Sequence, residues 1–74
     1  MDIDALQVSL GNVIRARREA LGYSQDTFAD FIEMHRAYYS SIERGERNVT
    51  LATLLKVAAG LGVRAGKLLD QAGS

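Results

Sequence analysis

Cysteine, proline and tryptophan are all absent from the 74 residues, and histidine occurs once. Without cysteine there is no disulfide framework and no thiol nucleophile; with one histidine besides, a zinc site of the usual ligand set is excluded and no metal is expected. No apolar run approaches the ~20 residues that a membrane-spanning helix needs. The segment Met1–Gln7 holds Asp2 and Asp4 and no basic side chain, which does not read as a secretory leader. Nor is there an excess of either charge: nine basic residues balance nine acidic ones. A basic total would point to nucleic acid; here function must be read from where the charges sit. The expectation is one intracellular domain, 1–74, close to the smallest core on which a lone domain folds.

Alanine and leucine supply more than half of the apolar residues, which with the lack of proline favours helix over strand. Gly22, Gly45 and Gly62 each follow an apolar-periodic run and read as helix ends. Five short helices result, an all-α fold. The first is expected from about Leu10 to Leu21 with Ser9 as N-cap, Leu10, Val13, Ile14 and Leu21 forming its apolar stripe, and Arg17 and Arg18 within it. Residues 1–8 either extend that helix or form an arm. The second follows Ser24 and ends near Glu33–Met34. The third spans about His35–Arg44. Thr50 caps a fourth with Leu51, Leu54, Leu55, Ala58 and Leu61 at helical spacing, and the fifth covers about Ala65–Gln71.

Helices two and three are short and separated by only three or four residues, so 24–45 reads as a helix-turn-helix. On a helical wheel with Ile42 inward, Tyr38 and Tyr39 fall on the core side, and Arg36, Ala37, Ser40, Ser41 and Arg44 on the other. A solvated face ordinarily carries long Glu and Lys chains. This one is small in the middle and arginine at the rims, so its backbone can approach another surface while the arginines pair with phosphates or guanine edges. Arg18 follows Ile14 by four and precedes Leu21 by three, which turns it inward, where it needs a carboxylate. Glu43, four after Tyr39, lies near the same seam.

Ser24-Gln25-Asp26-Thr27-Phe28-Ala29-Asp30 and His35-Arg36-Ala37-Tyr38-Tyr39-Ser40-Ser41-Ile42-Glu43-Arg44-Gly45 together resemble the helix-turn-helix of the Cro and phage-repressor (Xre-type) family, with a lambda-repressor-like fold. The likeness covers roughly residues 9–70. The stretch around His35–Arg36 and Ile42–Asn48 is also similar to the controller proteins of restriction–modification systems. The resemblance implies that Arg36, Ala37, Ser40 and Ser41 face base edges. It implies backbone contacts from Gln25, which also buttresses the third helix, and from Arg44, Arg47 and Asn48. His35 and Tyr38 are candidates for further backbone contacts, although His35 is equally a plain surface histidine and Tyr38 can simply pack its ring. The Arg18–Glu43 ion pair is implied too. Two departures stand out. Glu33 occupies the turn where the family often has Gly, which demands positive φ of a bulky residue. Arg64 stands where Ser usually caps the fifth helix, so that helix is expected to fray.

Sequence-specific binding of double-stranded DNA, as a homodimer on a palindromic operator, is the function these residues and the resemblance together imply, with transcription as the regulated process, no cofactor, and a place in the cytoplasm associated with the nucleoid. The helix-two N-terminus and the loop after Gly45 would grip the backbone. Ile3, Leu6, Val63, Leu68 and Leu69 exceed what five short helices need and suggest a dimer built on helix five. The alternative is a protein-interaction module of the same fold, such as an antitoxin; zero net charge favours it, and the Arg36–Arg47 face opposes it. No activated nucleophile or paired acid and base points to an enzyme.

Overall fold

The computed structural model describes residues 2–73; Met1 and Ser74 lie outside them. Five helices follow one another, α1 (Ile3–Ala20), α2 (Gln25–Phe31), α3 (Arg36–Glu43), α4 (Leu51–Leu61) and α5 (Ala65–Gly73), with no strand among the described residues. The expected all-α architecture is observed.

α1 begins seven residues before the expected Leu10. Its N-cap is Asp2, whose carboxylate accepts from the Ala5 backbone N–H at 3.1 Å, and Ser9 is not a cap but lies inside the helix. Of the two readings of residues 1–8, extension of the helix holds for the described residues, which add two turns to α1 in place of an arm. Their inner side chain, Leu6, packs half-buried on the core. Leu21, expected in the core stripe, is 54% exposed. It is the C-cap residue, where the chain turns away toward Gly22. α2 ends at Phe31, two to three residues short of expectation, because Ile32 and Glu33 already form the turn; Glu33 has φ +55°. The backbone carbonyl of Glu33 accepts from Lys56 Nζ at 3.1 Å. Gly22, Gly45 and Gly62 all have positive φ, as expected. Thr50 caps α4 as expected, accepting from Thr53 N–H at 3.1 Å.

The core is one cluster drawn from all five helices: Leu10 and Ile14 of α1, Phe28 and Ala29 of α2, Tyr39 and Ile42 of α3, Leu54, Val57, Ala58 and Leu61 of α4, Leu68 and Ala72 of α5. Leu51 and Leu55, read as part of the α4 core stripe, are instead exposed at 70% and 53%. Leu68, expected to be free for a partner, is fully buried in the chain's own core. α5 is not frayed away by Arg64. It runs unbroken to Gly73, its first turn closed by Lys67 N–H on the Arg64 carbonyl at 3.0 Å. α1 is the scaffold across which α3 and α5 lie. Its Gly11 makes the α3 contact possible: a Cβ there would stand 2.7 Å from the Ile42 carbonyl oxygen and closer still to that of Glu43.

Candidate nucleic-acid interface

The orientation of α3 is set from within. Glu43, at the C-terminal end of α3, is buried, and its carboxylate is a four-way acceptor. Arg18 of α1 donates through Nε to Oε2 at 2.7 Å and through Nη2 to Oε1 at 3.2 Å. Gln25 donates its amide to Oε1 at 2.8 Å, and the Tyr39 hydroxyl donates to Oε2. The third nitrogen of Arg18, Nη1, donates to the Tyr23 carbonyl at 2.6 Å. The expected ion pair is thus present, with side-chain exposures of 8% and 2%, and Gln25 takes the buttressing part the resemblance implied. The Tyr23 carbonyl and Tyr39 hydroxyl joined unforeseen. Buried charge normally survives only when paired and hydrogen-bonded; among the described residues no buried side-chain polar atom lacks a partner. Burial pushes the Glu43 carboxyl up, but the bonds from Arg18, Tyr39 and Gln25 outweigh it and hold the group below the ordinary carboxylate range. Burial and the bond to Glu43 push the Tyr39 phenol well up.

The opposite side of α3 carries the candidate interface. His35, Arg36, Ala37, Ser40 and Arg44 line one shallow concavity, with Ala37 and Ser40 between the two arginines. Five of the ten residues expected to meet nucleic acid therefore share one surface. His35 is the N-cap residue of α3; its side chain makes no capping bond and is exposed. Ser41 departs from expectation. It is 4% exposed, its Oγ donating to the Tyr38 carbonyl at 2.6 Å and accepting from Arg47 Nε at 3.2 Å. The reason is geometric: Ser41 sits about 100° from Ile42 on the wheel, a border position, and the loop that brings Arg47 back covers it. Ser41 therefore orients Arg47 rather than presenting a hydroxyl. Arg47 also lies over the half-buried Tyr38 ring, 5.7 Å from its centroid.

The arginines of this surface are not bare. Arg36 pairs with Asp26 of α2, Nε to Oδ1 at 2.9 Å. Arg44 pairs with Glu46 through Nε at 2.9 Å and Nη2 at 3.2 Å, while its Nη1 donates to Ser40 Oγ at 2.7 Å. Glu46 is held below the ordinary carboxylate range by Arg44. Asn48 accepts a hydrogen bond from Gln7 of α1. Sequence reasoning missed both acidic partners: Glu46 lies two residues beyond Arg44, a signal the sequence held, whereas Asp26 lies ten residues before Arg36 on another helix.

Residues 14–68 match the helix-turn-helix (HTH_3) family model. The chain belongs to this family, which comprises DNA-binding transcription regulators and not enzymes. The control protein C.MunI of a Mycoplasma species is 44% identical over 66 residues, 88% of this chain and 89% of the relative. The control protein C.SmaI of Serratia marcescens is 40% identical over 73 residues, 99% of this chain and 83% of the relative. Among solved structures, the restriction-modification controller protein C.AhdI from Aeromonas hydrophila superposes with a TM-score of 0.80 at 39% identity, covering 84% of this chain and 94% of that one. The Xre-type assignment and the likeness to restriction–modification controllers both hold. No helix among the described residues is long and apolar enough to cross a membrane.

Proposed function

We propose that the protein is a sequence-specific regulator that binds double-stranded DNA as a homodimer on a palindromic operator and controls restriction–modification genes, the role its relatives' names suggest. The observation that carries this reading is the concavity of α3, floored by Ala37 and Ser40 and rimmed by Arg36 and Arg44. α3 enters the major groove with its N-terminal end toward the bases. Arg36 takes the O6 and N7 of a guanine, Ala37 touches a thymine methyl, and Ser40 bonds to either base. Arg44, Arg47 and Asn48 on the C-terminal side, with His35, Tyr38 and Gln25 at the edges, meet the sugar–phosphate backbone. Ser41, being buried, is withdrawn from the base-reading set.

Exposed apolar side chains support the homodimer. Once the chain's own core is filled, Leu51 and Leu55 of α4 and Leu69 of α5 remain exposed. An isologous pair built on them would set the recognition helices about 34 Å apart, one turn of DNA. Leu55→Glu leaves the core untouched, so sedimentation should show a folded monomer in place of a dimer; an unshifted mass would remove Leu55 from the interface.

Selection from random duplexes tests the reading directly. An enriched palindrome is expected, and none at low salt would favour a protein-interaction module instead. Within the selected site, Arg36→Ala should weaken binding by about 1–3 kcal/mol per half-site and relax preference at one base pair, whereas Arg47→Ala should weaken all sequences alike. Uniform loss from Arg36→Ala would place Arg36 on a phosphate.

A further inference from the structure

Asp26 has no part in the core, the turn or the hydrogen-bond hub around Glu43, yet it holds the arginine at the head of α3. Its carboxylate pairs with Arg36: Nη1 donates to Oδ2 at 3.3 Å and Nε lies 2.9 Å from Oδ1, with both side chains more than 60% exposed. A guanidinium has five N–H donors in a planar fork. The hydrogen bond to Asp26 uses one of them, on Nη1, which leaves both donors of Nη2 to form a second fork with a neighbouring N–H. That second fork has the shape of the donor pair required by guanine O6 and N7.

From this arrangement, and resting on the DNA-reading function above, we infer that Asp26 is a positioning and specificity-determining residue that orients the guanidinium of Arg36 toward one guanine and penalises its use elsewhere. The two effects have the same sign for discrimination. At the cognate base pair, the carboxylate fixes the plane of a side chain that otherwise loses much rotamer entropy on binding. At a wrong base pair, where the paired O6 and N7 acceptors are missing, Arg36 has no matching fork of acceptors to reward it. A swing to a neighbouring phosphate then leaves the Asp26 carboxylate unpaired beside the DNA backbone. Asp26 therefore weakens non-cognate binding while strengthening cognate binding. It also gives the balanced charge of the chain a purpose at this surface, since non-specific affinity is chiefly electrostatic.

The test compares Asp26→Asn with the parent on the selected operator and on the same operator with the Arg36-read base pair replaced. The substitution should lower cognate affinity, raise non-cognate affinity and narrow their ratio by about two- to fivefold, the size expected for an exposed ion pair. Asp26→Glu, which keeps a carboxylate, should restore most of the ratio. Asp70→Asn on α5 makes the same change of net charge outside the helix-turn-helix and should shift both affinities together. Asp26 also stands in the first turn of α2, so its loss can lower stability; the ratio of two affinities measured on one folded sample does not respond to that. If the parent selects an operator but Asp26→Asn keeps the parental ratio, or shifts both affinities by the Asp70→Asn factor, this inference is overturned and the DNA reading stands. If the parent selects no duplex, both fall together.

Discussion

Glu33 carries backbone strain in the turn on which the helix-turn-helix depends. With φ at +55°, its Cβ is crowded as in any left-handed L-residue. The turn is kept by its neighbours: Met34 N–H donates to the Ala29 carbonyl at 2.8 Å, and Lys56 holds the Glu33 carbonyl. None of these bonds uses the Glu33 side chain, which is exposed. Glu33→Gly should therefore raise stability, by up to about 1 kcal/mol, since relief of the strain exceeds the added entropy of the unfolded glycine. Thermal or urea unfolding measures it, and a less stable variant would show that the strain is already relieved in the native turn.

Between elements, the hub around Glu43 fixes the recognition helix by tying α1, the α1–α2 turn, α2 and α3 to one carboxylate. Glu43→Ala strands the Arg18 guanidinium in a buried site and should cost ~3–5 kcal/mol. That is most of the stability of a domain of this size. Arg18→Met combined with Glu43→Leu removes both charges and should melt well above the single variant. If Glu43→Ala melts with the parent, the hub does not hold the fold. The pair was legible in the sequence because both residues fall at inward positions of their helices. Its other members were not, because a carbonyl such as that of Tyr23 has no sequence signature. Periodicity likewise showed which residues share a face, but not where the face ends. Ser41 is covered by a returning loop, while Leu51 and Leu55 share helical spacing with Leu54 and Leu61 yet stay exposed. The start of α1 was left open between an extension and an arm because Ser9 is a good capping residue by type; Asp2 does the capping. On the outer face of α3, the types and spacing of Arg36, Ala37, Ser40 and Arg44 sufficed to group them; the acids that pair with the arginines lie ten residues away and two residues on, outside any single helical stripe.

At the scale of the whole molecule, two titrations bound the stable pH range. Glu43 has its ordinary value of 4.5 lowered in the folded chain. Its contribution is therefore present above about pH 4.5 and is lost as pH falls through the depressed native value. Tyr39 has its ordinary value of 10.0 raised. Its contribution is present below about pH 10 and is lost as pH rises toward the raised native value. Stability should form a plateau between these limits, with Glu43→Gln moving the acid edge and Tyr39→Phe the alkaline one. An acid edge unmoved by Glu43→Gln would assign acid unfolding to other carboxylates.

Salt dependence separates what this zero-charge chain does at its surface from what its total charge suggests. Counterion release scales with phosphates neutralised, at ~0.9 per phosphate on duplex DNA. Arg44 and Arg47 of each subunit are the charged groups assigned to phosphates, joined by polar groups that add little. For a dimer the slope of log affinity against log salt should be about −4, steep for a protein without net charge but shallow for a basic one. Arg44 can reach a phosphate only by leaving Glu46, so part of its gain is spent on the broken pair. Glu46→Gln removes that competition and should raise affinity for every duplex alike, with no change in the preferred sequence. This separates it from Asp26→Asn, which alters the preference itself. Fluorescence anisotropy across a salt series on cognate and scrambled duplexes reads all of these quantities. A flat response would mean that phosphates do not hold the ligand, and a Glu46→Gln gain confined to the cognate site would move Arg44 from the backbone to a base edge.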